Sequence, residues 1–274
     1  MEQIRENIFV ETDFLGCNPG FVVTSQGIVM VDTPQKPSQA HEWGKEIQGH
    51  GDVRYIIITD HHVDHVLGSR FFNGDVVTHE GTMKQLTAEG RLRFSKEWLR
   101  FVEPESEPAI ESYEIRLPTI TYSHKMSLFV GEEVFELYHI CGHTGYETIV
   151  YLPSQKVLFT GDNVCTVGIP TLRESYPRKW FEALSFMEDL DFTTLVPGHG
   201  KIGTKESLRT FRNEFQALCD EVQERIARGC TRDEVIGQVS YEDHVHAEYP
   251  PSEKFALHVK MSIGRLYDEF TGAR

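Results

Sequence analysis

Five side chains that can bind metal ions occur within six consecutive residues, 60–65 (Asp-His-His-Val-Asp-His), directly after a short apolar run. On an extended segment, residues two apart face the same side, so Asp60 and His62 can converge on one point. If a helix begins after this segment, Asp64 and His65 would face a second point nearby. The spacing therefore predicts ligands for two neighbouring metal ions.

Three further candidate ligands occur later in the chain, and each lies beside a glycine. They are His143 in Cys-Gly-His-Thr-Gly, Asp162 in Thr-Gly-Asp-Asn and His199 in Pro-Gly-His-Gly. Each follows a strand pattern, and proteins often place functional residues in loops held by rigid strands. One such histidine or aspartate is weak evidence by itself. Together with residues 60–65, the three predict a site that later strands complete.

The elements that would position these ligands form two similar halves. In the first half the pattern gives a strand at 8–12, a hairpin of strands 21–24 and 28–32, a helix at 38–48 with Ser38 as its N-cap, and a strand at 55–58. In the second half it gives strands 148–152 and 156–160, a helix at 179–190 and a strand at 194–196. This weak duplication predicts two sheet-plus-helix halves packed face to face, with their ligands at one edge.

The segment between the halves and the C-terminal region have different patterns. Between the halves we expect a strand at 75–78, a mostly helical stretch at 80–101, an exposed acidic loop at 103–111, and strands at 119–122, 127–130 and 134–140. The C-terminal region is helical in pattern, with helices at 205–229, after Thr231 and at about 252–270. We therefore predict a main domain of residues 1–203 and a helical C-terminal extension of residues 204–274.

The composition disfavours several classes of partner. The chain has 274 residues, is 39% hydrophobic and carries a net charge of −15 at pH 7, so it can bury a core but lacks the cationic surplus that nucleic acids require. No apolar run approaches the roughly 20 residues of a membrane span. The N-terminus has no secretory pattern, and the five scattered cysteines indicate reduced thiols. We expect a cytoplasmic protein that acts on a small molecule, with no nucleic acid or membrane partner and with homo-oligomerisation left open.

The order and spacing of the motifs resemble those of the metallo-β-lactamase-fold hydrolase superfamily, which includes glyoxalase II-like thioesterases and lactonases. The resemblance covers roughly residues 8–203, which would form the catalytic domain. The usual first motif of that superfamily is T-H-x-H-x-D-H, and residues 59–65 of this chain read T-D-H-H-V-D-H. The resemblance implies an α/β fold, an αβ/βα four-layer sandwich of two mixed β-sheets with outer helices, followed here by the helical extension.

The resemblance also implies a dinuclear centre with two divalent metal ions, zinc being the family's usual metal. Its ligand positions fall on two groups of three residues and one bridging residue: Asp60, His62 and His143 for the first ion, Asp64, His65 and His199 for the second, and Asp162 between them. Asp32 occupies a position that supports the ligand loop. His61 is expected to point away from its neighbours and not to ligate.

Asp60 stands where the superfamily usually has histidine. As a ligand it would be the third carboxylate, so the protein ligands and one bridging hydroxide would neutralise two divalent cations. A less positive centre lowers the pKa of bound water less strongly. A harder oxygen ligand also shifts the metal preference from zinc toward manganese or iron. The alternative is that Asp60 does not ligate and only the second position is filled.

The activity implied is metal-dependent hydrolysis of a small ester, thioester or lactone, in which a metal-bound hydroxide attacks the carbonyl. Asp64 would orient the hydroxide or transfer a proton. Candidate substrate-binding residues are Arg173 and, in a loop that we expect to overhang the metals, His244 and His246. Arg91 is expected on an exposed helix face. Two alternatives remain, an iron-dependent oxidoreductase of the same fold and a non-catalytic binding protein.

Overall fold

The computed structural model describes residues 1–240 and 253–273. Within these ranges two mixed β-sheets pack face to face, and helices cover their outer faces. The predicted αβ/βα four-layer sandwich with C-terminal helices is therefore confirmed. None of the helices in these ranges is long and apolar enough to cross a membrane.

The first sheet contains seven of the described strands, which neighbour one another in chain order: β1 Glu2–Arg5, β2 Ile8–Val10, β3 Gly20–Thr24, β4 Gly27–Val31, β5 Val53–Ile57, β6 Asp75–His79 and β7 Ile120–Tyr122. Strands β1 to β4 pair antiparallel, and β4 to β7 pair parallel. In parallel sheets the carboxyl ends of the strands share one edge, which is where sites are built. Residues 60–65 follow β5 at that edge.

The second sheet contains five described strands: β8 Lys125–Val130, β9 Glu133–Ile140, β10 Glu147–Leu152, β11 Val157–Phe159 and β12 Thr194–Val196. Their order is β12-β11-β10-β9-β8, and only the β11–β12 pair is parallel within these described strands. His143 follows β9, Asp162 follows β11 and His199 follows β12. The later candidate ligands thus all lie just beyond strand ends.

The described helices are α1 Pro37–Gln48, α2 Val63–Val66, α3 Glu80–Leu86, α4 Arg91–Val102, α5 Glu107–Glu111, α6 Pro177–Asp189, α7 Lys205–Ala227, α8 Arg232–Gln238 and α9 Glu253–Thr271. Short 3-10 turns cover Leu67–Phe71, Pro104–Ser106 and Gly161–Asn163. Helix α1 packs on the first sheet through residues such as Trp43, whereas α6 to α9 pack on the second.

Strand β4 shows why the layers form. Val29 and Val31 face the second sheet, whereas Ile28 and Met30 face α1, and all four are buried. A strand that is apolar on both faces must be covered on both faces. Each fully buried side chain of this kind contributes roughly 1.5–3 kcal/mol relative to exposure. The same alternation continues in the neighbouring strands, so the sandwich core lies between the sheets.

The C-terminal helices share a core with the second sheet. Helix α7 begins at a capping box in which the Thr204 hydroxyl accepts a hydrogen bond from the Glu206 amide. Phe211 and Phe215 of this helix are buried against Trp180 of α6, with ring centroids 5.7 and 4.9 Å away. Helices α6 and α7, which lie on either side of the predicted boundary at residues 203 and 204, therefore pack together, and the division into two domains remains a prediction.

The predicted acidic loop at 103–111 is wrong, and so is the predicted cap of α1. Helix α1 begins at Pro37, whose fixed φ suits the first helical position, and Ser38 makes no side-chain cap. Instead, the Ser38 amide donates to both carboxylate oxygens of Glu103 at 3.2 Å. Glu103 is 2% exposed, and the residues after it form a 3-10 turn and α5, which buries Ile110.

Two further local differences concern backbone conformation and an additional strand. The stretch predicted as mostly helical at 80–101 divides into α3, which ends at Leu86, and α4, which begins after Gly90, where a left-handed φ of +80° precludes continuous helix. Strand β1, which pairs with β2 at the edge of the first sheet, was not predicted. Its side chains are exposed or half-buried, so it carries little apolar pattern.

Candidate metal centre

The seven predicted metal ligands meet at one edge of the sandwich, where strands of both sheets end. Among these seven residues, three groups have ligand atoms within 4.8 Å of one another: Asp60, His62 and His143; Asp64, His65 and His199; and Asp60, His65 and Asp162. The first two are the groups that the sequence assigned to two ions. The structure therefore brings all seven side chains together, and their binding of metal remains a prediction.

The second group has the spacing of a metal site. His199 Nε2 lies 3.2 Å from Asp64 Oδ2 and 3.2 Å from Asp162 Oδ1, and His65 Nε2 lies 3.3 Å from Asp162 Oδ1. Ligands about 2.0–2.1 Å from a tetrahedral zinc ion are separated by about 3.3–3.4 Å. His65 Nε2 and Asp162 Oδ1 are buried without a hydrogen-bond partner among the described residues. These residues fit a cation.

The first group lies against the other oxygen of Asp162. His143 Nε2 is 3.5 Å from Asp162 Oδ2, 3.8 Å from Asp60 Oδ2 and 3.3 Å from His62 Nδ1. Asp60 Oδ2 directly contacts His62 Nδ1. One oxygen of Asp162 thus faces each group, which is the arrangement that a bridging carboxylate requires.

Asp32 holds the ligand loop, as its position in the sequence predicted. Its Oδ1 accepts a hydrogen bond from the Thr59 amide at 2.8 Å, and its Oδ2 accepts from the Thr59 hydroxyl at 2.6 Å. Asp32 Oδ2 is also 3.0 Å from His65 Nδ1. Donation from Nδ1 leaves the lone pair of His65 on Nε2, directed at the second ligand group.

The loop that carries His199 approaches the bridging carboxylate closely. A Cβ at Gly198 would collide with Asp162 Oδ1 and lie 2.7 Å from the carbonyl carbon of Gly161, so only glycine fits there. Asn18, in the loop between β2 and β3, fixes this loop, since its side-chain amide donates to Pro197 O at 3.0 Å and to Gly200 O at 2.8 Å. Sequence reasoning missed Asn18, because its partners are far away in the chain.

Glu147 is a second missed residue. It is fully buried at the start of β10, where Oε1 accepts from the Asp162 amide at 3.0 Å and Oε2 accepts from the Thr144 hydroxyl at 3.1 Å. Burial, together with the nearby carboxylates of Asp60 and Asp162, raises the pKa of Glu147 well above its usual range. Its place after the Gly-His-Thr motif was the only signal for it in the sequence.

The charges of the centre are strongly coupled. Burial by itself would raise the pKa of Asp162, but His199 and His65 hold it well below the usual range. Burial would lower the pKa of His199, but Asp162 and Asp64 raise it to about 10. His143 differs, because burial dominates and lowers its pKa to about 4. Without metal, His199 therefore holds a proton at neutral pH and His143 does not.

The prediction that His61 points away from its neighbours is wrong. Its ring stacks on that of His62 with centroids 4.6 Å apart. His61 Nε2 lies 3.1 Å from Glu174 Oε2, and His61 Nδ1 lies 2.9 Å from Asp60 Oδ1. The prediction assumed strand-like alternation, which holds only within a strand, and β5 has already ended at Ile57.

Arginine side chains border this part of the centre. Arg91 was expected on an exposed face, but it is half-buried and its Nη2 donates to the backbone oxygen of His61. Burial lowers the pKa of Arg91, and Asp60 and Glu174 oppose that effect. Arg173 is exposed and pairs with Glu174 at 2.7 Å. Its role in substrate binding stays a prediction.

His244 and His246, and with them Tyr241 and Tyr249, lie outside the described residues. Their proposed contribution to the pocket therefore remains a prediction from the sequence.

Comparison with known sequences gives a consistent picture. Residues 12–199 match the profile of the Metallo-beta-lactamase superfamily. The chain is 21% identical over 288 residues to linear primary-alkylsulfatase from Pseudomonas sp., which covers 90% of this chain and 54% of that protein. It is 30% identical over 147 residues to hydroxyacylglutathione hydrolase from Mesorhizobium japonicum, which covers 53% and 47%. The chain thus spans about half the length of these two relatives.

Solved structures share the fold. The stereoselective inverting sec-alkylsulfatase Pisa1 from Pseudomonas sp. superposes with a TM-score of 0.73 at 15% identity, over 99% of this chain and 50% of that one. The metallo-beta-lactamase from Pontibacter korlensis superposes with a TM-score of 0.62 at 21% identity, over 78% of this chain and 97% of that one. The matched profile spans most of the chain and includes all seven candidate ligands, the last of which, His199, is its final residue. The chain belongs to the metallo-beta-lactamase superfamily.

Proposed function

We propose that this protein is a metal-dependent hydrolase of a small ester, thioester or lactone. The observation that carries the proposal is the placement of Asp162, whose two oxygens face two separate groups of three ligand side chains. Membership of the superfamily supports it, as does the similarity to a protein named hydroxyacylglutathione hydrolase. The net charge of −15 favours a small-molecule substrate over nucleic acid.

Two divalent cations held by these ligands would act as Lewis acids. They would lower the pKa of a bound water toward neutrality. Asp64 is the residue that we assign to proton transfer. Its side chain is 18% exposed, against 0% for Asp60 and 7% for Asp162, so it is the ligand carboxylate most accessible to a substrate. Its Oδ2 is 3.2 Å from His199 Nε2, which orients it.

The metal would be zinc, manganese or iron, and Asp60 bears on the choice. Asp60 is fully buried beside His143 and His62, so as a ligand it would add a hard oxygen to the first group. We expect the ratio of bound zinc to bound manganese to be at least about tenfold higher in the Asp60→His variant than in the wild type. Competitive metal loading followed by elemental analysis measures this, and an unchanged ratio would show that Asp60 is not a ligand.

Arg91 favours a substrate that carries negative charge. Its guanidinium is half-buried and has a buried Nε without a hydrogen-bond partner among the described residues. A sulfate ester is the second candidate for the same reason, and the similarity to an alkylsulfatase over 90% of this chain favours it. Both candidates use the same ligands and differ in the bond that is cleaved.

The test is turnover by protein whose metal content is known. Protein loaded with zinc, manganese or iron would be assayed on matched carboxylic esters, thioesters, lactones and alkyl sulfates. We expect metal-dependent hydrolysis of at least one of the first three classes and its loss in Asp162→Ala, whereas Asp189→Ala, at an exposed aspartate of α6, serves as the matched control. Oxygen uptake by the iron form without hydrolysis would favour an oxidoreductase. Failure to retain or accept any metal would favour a binding protein.

A further inference from the structure

His61 and Glu174, which are not among the seven predicted ligands, form a further group of potential ligands together with His62. The ligand atoms of His61, His62 and Glu174 lie within 4.8 Å of one another. His61 Nε2 is 3.1 Å from Glu174 Oε2, and His62 Nε2 is 3.9 Å from Glu174 Oε1. Such separations suit nitrogen and oxygen ligands that bind one cation at about 2.0–2.2 Å. We call these three residues the outer group.

Asp60 lies against both histidines of the outer group. Its Oδ1 lies 2.9 Å from His61 Nδ1, and its Oδ2 contacts His62 Nδ1. His62 bonds to Asp60 through Nδ1, and a carboxylate that accepts Nδ1–H leaves the imidazole lone pair on Nε2, the arrangement found behind many histidine metal ligands. His61 Nδ1 lies close to Asp60 Oδ1 without a hydrogen bond. His62 Nε2 is buried and has no hydrogen-bond partner within the described chain.

We propose that His61, His62 and Glu174 form an outer binding site for a divalent transition-metal cation such as zinc. The superfamily's usual histidine at position 60 would place no negative charge beside the two rings, whereas each oxygen of Asp60 lies beside one of them. The change from histidine to aspartate therefore creates the support that this outer site needs. The inference rests on the proposed dinuclear centre only for the sharing of His62.

The sharing of His62 makes the outer site and the first ligand group alternatives. A neutral imidazole has one lone pair, so His62 ligates either through Nδ1, with Asp60 and His143, or through Nε2, with His61 and Glu174. The Glu174 side chain is 38% exposed, whereas those of Asp60 and His143 are 0% and 2% exposed. A cation arriving from solvent therefore meets the outer site first.

One competing interaction is present. Arg173 Nη2 holds Glu174 Oε1 at 2.7 Å, so a bound cation must displace an exposed arginine. The Arg91 guanidinium adds positive charge at the backbone of His61. Both effects weaken the outer site without removing a ligand, and Arg173→Gln should tighten it.

Counting the cations bound by full-length variants tests the outer site. At one fixed, saturating concentration of free zinc, the wild type should bind two cations per chain, and so should Glu174→Gln, through the first and second groups. His143→Ala disables the first group but should still bind two, because the outer site replaces it. The double variant His143→Ala/Glu174→Gln should bind one. The control is the double variant His143→Ala/Glu182→Gln, since Glu182 is an exposed glutamate of α6. It should still bind two cations per chain.

A count of one in folded His143→Ala, with no further loss in the double variant, would overturn the proposal. Circular dichroism establishes that each variant is folded. Anomalous diffraction at the zinc edge gives the position directly, in zinc-soaked crystals of the wild type and of His143→Ala. A peak between the two Nε2 atoms and Glu174 supports the outer site, and its absence from both refutes it. Failure of the proposed hydrolase would differ, since the wild type would then bind two cations and hydrolyse no substrate.

Discussion

Asp32 accepts a hydrogen bond from His65 Nδ1 at 3.0 Å. The backbone of Asp32 itself has a left-handed φ of +56°. Asparagine tolerates this conformation, so Asp32→Asn changes the charge without straining the backbone. We expect it to weaken cation binding at the second ligand group by about 10–100-fold, as losses of such orienting partners generally do. A competition titration with a zinc-binding dye measures the change.

The matched control for Asp32→Asn is Asp189→Asn, which makes the same change at an exposed position of α6. It should bind cations as the wild type does. Equal affinity of the two variants would show that Asp32 does not orient His65 for metal binding.

Cation binding should release protons. Asp162 and Asp64 overcome the effect of burial and raise the pKa of His199 to about 10, so His199 is protonated at pH 7.5 in the metal-free protein. That proton must leave before His199 Nε2 can ligate. For each proton released, the apparent affinity for the cation should rise about tenfold with each unit of increasing pH, up to that pKa. Calorimetry at pH 7.5 in buffers of different ionisation enthalpy should detect at least one proton released. A buffer-independent heat would contradict the assignment of His199 as a ligand.

Arg91 should contribute to the binding of anionic substrates. A hydrogen bond to a charged group contributes about 1.5–3 kcal/mol, so Arg91→Met should raise KM for a negatively charged substrate by about 10–100-fold and change that for a neutral analogue little. Arg93→Met is the control, since that side chain is 82% exposed on the same helix. Equal effects of both variants would remove Arg91 from the substrate site.

We expect the free energy of unfolding to fall below neutral pH because His79, which is not one of the candidate ligands, becomes protonated. Its Nδ1 accepts the Gly81 amide at the start of α3, and its ring stacks on His139 with centroids 3.9 Å apart. Burial lowers the pKa of His79 below the ordinary 6.5, and His139 adds to the effect. Folding therefore favours the neutral ring, so this stabilisation is complete above pH 6.5 and is lost as the pH falls through the folded-state pKa.

The variant His79→Asn keeps a helix-capping side chain but removes the titrating group. In metal-free protein, we expect the Tm of the wild type to fall by at least about 2 °C more than that of His79→Asn between pH 7.5 and 5.5. Parallel curves for the two proteins would show that His79 does not titrate in this range.

The sequence predicted the sandwich and the convergence of the seven candidate ligands because both depend on local patterns. Apolar runs mark strands, and each ligand lies just beyond a strand end. Contacts between distant segments were not predictable in this way. Glu103 caps a helix that begins 66 positions earlier, at Pro37, and Glu147 acquires its role only when β9, β10 and the loop after β11 come together.

The orientation of His61 shows a second limit of pattern reasoning. The two-residue alternation of a strand was extended past Ile57, where β5 ends, and the backbone then turned the ring toward Asp60. Rules of periodicity apply only as far as the hydrogen-bonded element continues. The sequence showed the unusual aspartate and placed His62 beside it, but it did not predict the contact between Asp60 and His61.

The ligands come from both sheets, since residues 60–65 follow β5 and His143, Asp162 and His199 follow strands of the second sheet. A cation in either predicted group would therefore be a cross-link between the two halves of the chain. Neither half by itself carries a complete group, so a partly folded chain with one sheet formed cannot retain the ion. Metal retention would thus report that the halves have docked, and two separately produced halves should recover tight binding only when they are mixed.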